Sequence, residues 1–110
     1  MAKLRLRDFS ALFTGDITPE VAENIVRMRL IEEVNYIKVP HHGSKNGLAK
    51  NLLFTASPDV AVIFVGGTNS YGHPHKEILD MLKDKNVFIK RTDIEGDVEI
   101  ITDGGTWWSK

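Results

Sequence analysis

Val60-Ala61-Val62-Ile63-Phe64-Val65 is an unbroken apolar run of strand length. A strand of that kind has no polar side to turn toward water, so it belongs in a sheet covered on both faces. The signals around it alternate between strand and helix and predict an α/β architecture. Leu4 and Leu6 alternate with Arg5 and Arg7, as in a strand with one solvated face. Asp8-Phe9-Ser10 reads as a turn and Ala11-Leu12-Phe13 as a short buried strand ending at Thr14-Gly15-Asp16. Thr18-Pro19-Glu20 is a helix start, with Thr as cap, Pro at the first helical position and Glu in the positive first turn. Val21, Ile25, Met28 and Ile31 then recur near helical spacing. Asn35 to Val39 is a strand closed by Pro40, and Leu48 to Ala56 a short helix closed by Ser57-Pro58. Ile78, Leu79 and Leu82 mark a helix that starts at His75 and ends in solvent at Lys83-Asp84-Lys85. Val87-Phe88-Ile89 is a further strand, and Asp97 to Thr102 an edge strand or hairpin partner. Trp107 and Trp108 either cap the core or mark a contact.

The chain of 110 residues is expected to form one domain, residues 1–110. A formal net charge of -1 offers no global positive field for nucleic acid, although charge at a nuclease site can be local. With no cysteine, disulfides and thiolate zinc sites are excluded. No apolar run approaches the roughly 20 residues of a membrane helix. Lys3, Arg5 and Arg7 interrupt any signal-like apolar stretch. The chain as presented is expected to be soluble.

All four histidines fall in two clusters, His41-His42-Gly43-Ser44 and Gly72-His73-Pro74-His75. Both clusters, and Thr14-Gly15-Asp16, are Gly- or Pro-bounded loops after predicted strands, where a rigid scaffold concentrates functional groups. Imidazole with carboxylate suits zinc, manganese or iron rather than copper(I). Taken singly, each loop has a plain explanation: a Gly-Asp turn, solvated histidines, a helix start near Pro74. Those explanations do not predict three such loops together. The combination points to a metal-dependent hydrolase.

Leu12-Phe13-Thr14-Gly15-Asp16-Ile17, Lys38-Val39-Pro40-His41-His42-Gly43-Ser44 and Asn69-Ser70-Tyr71-Gly72-His73-Pro74-His75 occur in that order. Together they resemble the metallo-β-lactamase superfamily, and within it the hydrolase domain of ComEC-type competence DNA-uptake proteins. Arg91-Thr92-Asp93 followed by Gly96 is similar to that group's C-terminal end. The resemblance implies two divalent ions, zinc or manganese. Asp16 would bridge them and act catalytically by accepting a proton from the nucleophile, a metal-bound water ionised near neutral pH. A histidine of the Val-Pro-His-His-Gly run would ligate the second metal: His42 by its place before the glycine, or His41 beside it. His73 or His75 would hydrogen-bond a phosphate or steady the leaving group, and both are candidate catalytic residues. Ser44, Lys45 and Tyr71 would join His73 on the substrate side.

The superfamily's principal metal motif, His-x-(His or Asp)-x-Asp-His, is absent here, the first histidine being His41. The expectation is the C-terminal half of an αββα sandwich, with a mixed sheet and helices, whose partner is a missing N-terminal half-domain. The implied substrate is a phosphodiester, DNA by resemblance. The alternatives are a hydrolase of another ester or small molecule, and a non-catalytic half-domain that self-associates or pairs with a separate N-terminal subunit. The parent is expected to be a membrane-associated competence protein or a cytoplasmic hydrolase. Removing one half would bare an apolar sheet face, so a homodimer or higher oligomer is expected to cover it, with Trp107 or Trp108 at the contact.

Overall fold

A computed structural model describes residues 1–66 and 72–109 of the chain. The fold is α/β. Five strands form one mixed sheet in sequence order: β1 (Ala2–Leu6), β2 (Phe9–Phe13), β3 (Tyr36–Lys38), β4 (Val60–Ile63) and β5 (Phe88–Arg91). β1 and β2 are an antiparallel hairpin, and β2 through β5 run parallel. Each parallel pair needs a crossover, and helices supply them: α1 (Pro19–Arg27), α2 (Lys50–Ala56) and α3 (Lys76–Asp84). A short helix, α4 (Thr92–Glu95), follows β5, and after it comes a hairpin of β6 (Ile100–Thr102) and β7 (Trp107–Ser109). No helix among the described residues is long and apolar enough to cross a membrane.

Of the apolar run Val60–Val65, only Val60–Ile63 is strand, and it divides between two cores; Phe64 lies beyond the strand and is 44% exposed. Ala61 and Ile63 join the cluster on the helix side, with Leu12, Ile37, Leu52, Ile78 and Leu82. Val60 and Val62 join Phe9, Ala11 and Tyr36 on the opposite side, where Val98, Ile100 and Trp107 of the C-terminal segment pack against them. The period-2 pleat sends successive side chains to opposite faces, and both faces are covered here. Trp107 therefore caps the second core, while Trp108 is 47% exposed.

That cover is partial. Toward β1 the second face opens into a groove of about 260 Å³ lined by Leu4, Phe13, Tyr36, Phe64, Val98 and Ile100. Leu4, Phe13 and Phe64 are 58%, 39% and 44% exposed, so large apolar side chains face water along one side of the sheet.

Several local expectations need correction. Phe9 and Ser10 belong to β2 and are buried; the chain reverses at Arg7-Asp8, with Arg7 at φ 52 and the Asp8 amide donating to Gly104 O at 2.8 Å. β1 is exposed on both faces rather than one, because it is an edge strand with a single neighbour. Thr18 does cap α1, its hydroxyl oxygen accepting from Val21 N at 3.3 Å. The helix nevertheless buries Ala22, Ile25 and Val26, leaving Val21 and Met28 43% and 67% exposed. It stops before Arg29 at φ 58, so Ile31 reaches the core from the following loop. Pro74 precedes α3 instead of opening it, and His75 takes the cap position without a side-chain cap bond. α4, too short to show periodicity, was not anticipated.

Candidate functional site

The parallel register aligns the strand ends. Phe13 pairs with Lys38 and Lys38 with Val62, so the segments after β2, β3 and β4 leave the same sheet edge. Carboxyl ends of parallel strands are where α/β folds assemble ligand sites. Thr14 is fully buried and its hydroxyl donates to Lys38 O at 2.6 Å, stitching the Thr-Gly-Asp turn to β3. Gly15 turns at φ 61, and Asp16 stands exposed beyond it.

After β3 the chain makes a tight turn at Pro40–Gly43 in which His41 (φ 51), His42 (φ 53) and Gly43 (φ 82) are all left-handed. Non-glycine residues there cost on the order of 1–3 kcal/mol each and persist only where surroundings impose them. Three hydrogen bonds do so: Ser44 N to His41 O at 2.9 Å, His75 N to Gly43 O at 2.9 Å, and His42 Nδ1 with Phe64 O at 2.6 Å. Gly43 also admits Pro74, for a Cβ on Gly43 would lie 2.5 Å from Pro74 Cβ. The two histidine loops are thereby locked together.

The hydrogen bonds assign ring protons. A carbonyl only accepts, so His42 donates from Nδ1 to Phe64 O and keeps its lone pair on Nε2, the arrangement of a metal-ligating imidazole steadied by a carbonyl. His75 is the reverse: Nδ1 accepts from Lys45 N at 2.9 Å, which leaves the proton of the neutral ring on Nε2. His73 stacks edge-on against His75 with ring centroids 4.8 Å apart. Its pKa is lowered, first by burial and then by repulsion from the neighbouring imidazoles of His75, His42 and His41 when they carry charge, which holds His73 toward neutrality. His41 turns inward, its Nε2 buried without a hydrogen-bond partner among the described residues.

Thr92, noticed in the sequence only within Arg91-Thr92-Asp93, fastens the β4 exit. Its hydroxyl accepts from Val65 N at 2.8 Å and donates to Val65 O at 2.9 Å. Arg91 and Asp93 pair through two hydrogen bonds of 3.0 and 2.6 Å, which hold the Asp93 carboxyl below its ordinary pKa and stiffen the turn around Thr92. Thr92→Val keeps the shape and removes both bonds. It is expected to lower unfolding free energy by about 1–3 kcal/mol, because Val65 N–H is left unpaired at a buried residue. Urea unfolding of the two proteins measures this.

The sequence candidates thus meet unequally. Asp16, His41, His42, His73 and His75 lie on loops of one edge. Ser44 is buried, its oxygen accepting from Asn46 N at 3.2 Å, and Lys45 joins through its backbone while its side chain is exposed. Tyr71 lies outside the described residues. Among the described residues no three His, Asp or Glu side chains are arranged to hold a metal ion, so these residues do not by themselves fit the two-ion centre that the resemblance implies. One residue at this edge is quoted in the sequence only as the start of the Lys38-to-Ser44 run, with no role: Lys38, whose Nζ donates to Gly15 O at 3.3 Å. Its place two residues before Pro40 was the available signal.

No protein-family model matches the chain. It is an α/β protein homologous to a segment of larger bacterial proteins. It is 30% identical over 90 residues to ComE operon protein 3 of Bacillus subtilis, covering 82% of this chain and 12% of that protein. It is 31% identical over 91 residues to Recombination protein 2 of Haemophilus influenzae, covering 83% of this chain and 11% of the relative. Competence protein ComA of Neisseria gonorrhoeae is 30% identical over 88 residues, 77% of this chain and 12% of its own length. The chain therefore spans about an eighth of the relatives it matches.

Proposed function

We propose that this chain is the C-terminal half of a metallo-β-lactamase-type hydrolase domain in a competence protein, and that the whole domain cleaves phosphodiester bonds of DNA during uptake. The relatives named above support the competence setting. The observation that carries the chemistry is the His42 ring: its Nδ1 proton is committed to Phe64 O, which presents Nε2 as a ligand at the edge that also bears Asp16. Asp16 and His42 would be two ligands of a divalent centre, zinc or manganese, completed from outside these residues. His42 suits that role better than His41, whose Nε2 is buried. His73, neutral, and His75, with its proton on Nε2, are suited to contact a phosphate or leaving group.

The groove beside Phe13 and Phe64 supports the half-domain view. An exposed apolar sheet face favours burial by about 25 cal/mol per Å², and the remainder of a parent as long as the Bacillus subtilis relative, about seven times this chain, would supply the cover. By itself the 110-residue chain is expected to bind no stoichiometric pair of metal ions and to hydrolyse no DNA, since a closed site needs about four protein ligands. Calorimetric titration with zinc and manganese checks this, and tight binding of two ions per chain would refute it. The full-length parent, assayed on DNA with zinc, manganese or magnesium, is expected to cleave; a parent that binds no metal and cleaves nothing favours the non-catalytic pairing module. Sedimentation of the isolated chain then shows whether a second copy covers the groove.

A further inference from the structure

We propose that Lys38, rather than the substrate-side candidate Lys45, is the cationic contact for a substrate phosphate at this sheet edge. The proposal rests on the phosphodiester function given above. β3 sends Ile37 into the helix-side core and Tyr36 into the opposite one, and Lys38, two residues after Tyr36, follows it onto the groove side. Its ladder neighbours are Phe13 and Val62, and its ammonium lies 5.8 Å from the centre of the Phe64 ring. One ammonium proton is directed to Gly15 O at 3.3 Å. The charge is thus held between the turn that carries Asp16 and the residue whose carbonyl orients His42.

How it is held matters more than where. The ion pairs among the described residues are Lys3–Glu32, Lys76–Asp80, Lys90–Glu95 and Arg91–Asp93, and none includes Lys38. Lys90, the comparable lysine near the end of β5, is neutralised by Glu95 at 2.8 Å. Lys38 is instead positioned by a ring face and a carbonyl, groups that fix an ammonium without cancelling its charge. A half-buried lysine placed in that way keeps two further donors for an external anion. An anionic phosphate oxygen matches it, and a neutral ester would gain little. In a phosphoryl-transfer transition state the same charge would stabilise the equatorial oxygens without rearrangement. The Lys45 side chain is exposed, and among the described residues only its backbone is hydrogen-bonded, to His75.

The test is binding of a fluorescein-labelled single-stranded oligodeoxynucleotide to the 110-residue chain, followed by anisotropy in EDTA across a salt series. Lys38→Gln is expected to weaken binding by about tenfold at low salt and to reduce the slope of log K against log salt by about 1. Lys38→Arg should keep most of the affinity, and Lys45→Gln should change it less than Lys38→Gln does. Inorganic phosphate should compete for the unsubstituted chain, which supplies the reading if Lys38→Gln fails to fold. Unchanged affinity and slope in Lys38→Gln, absence of oligonucleotide binding by the unsubstituted chain, or failure of phosphate to compete would each overturn the proposal. Should Lys38-dependent binding persist while the metal-loaded parent cleaves no DNA, the hydrolase function fails and the phosphate contact stands.

Discussion

Asp16→Ala in the full-length parent is expected to remove bound metal and DNA hydrolysis together, with activity falling by more than about 100-fold, beyond what losing an outer-shell partner costs. The fold should be untouched. Asp16 is exposed at the far side of a turn held by the Thr14 hydroxyl and Gly15, so its deletion is expected to change stability by less than about 0.5 kcal/mol. Metal analysis, a cleavage assay and thermal unfolding of the same preparation separate these effects. His73→Ala provides the contrast: activity should drop by about 10²–10⁴-fold while metal content persists, because that ring is assigned to substrate and not to metal. Retention of full metal content by Asp16→Ala would sink the bridging assignment.

Gly43→Ala is expected to be the most damaging methyl addition at any glycine among the described residues. The new Cβ would lie 2.5 Å from Pro74 Cβ, 3.0 Å from Pro74 Cα and 3.2 Å from Ile63 Cγ2, on a backbone at φ 82. Left-handed strain costs about 1–3 kcal/mol. Overpacking against a buried proline and a core isoleucine adds about 1–3 kcal/mol more. The sum is a large share of the roughly 5–15 kcal/mol by which domains are stable. Gly105→Ala is the control, since its Cβ would meet only Asp103 Oδ1 at 3.6 Å. Urea midpoints should differ widely between the two variants. If Gly43→Ala unfolds with the unsubstituted protein, the packing of Gly43 on Pro74 is not what joins the histidine loops.

Much of the architecture was legible because it is governed by local chemistry. The apolar run at Val60 called for cover on both faces, and the pleat divides its first four residues between two cores, while Phe64, beyond the strand, stays 44% exposed. Thr18-Pro19-Glu20 specified a helix start through the hydroxyl that caps it. Where the reading slipped, tertiary context overrode a local pattern. The alternation of β1 was real but had nothing to pack against at the sheet edge, and Ile31 reached the core from a loop because α1 had already ended. Phe9 looked like part of a turn beside Asp8, yet hairpin pairing with Leu6 and burial against the C-terminal segment made it a strand residue.

The candidate site divides in the same way. Which residue types could do metal and phosphate chemistry, and that they sit in loops after strands, followed from the sequence alone, since histidine clustering and Gly/Pro punctuation are one-dimensional properties. That His42 keeps its lone pair on Nε2, that His41 turns inward, that His75 accepts through Nδ1 and that Lys38 is held without a carboxylate were decided only by the tertiary structure. Three of the four depend on a group more than 20 residues away in the chain: Phe64 for His42, Lys45 for His75, Gly15 for Lys38. Which ring nitrogen carries the proton, and which groups face an ammonium, are decided by what the tertiary fold brings beside the side chain, and parallel strand pairing joins residues which no local pattern relates.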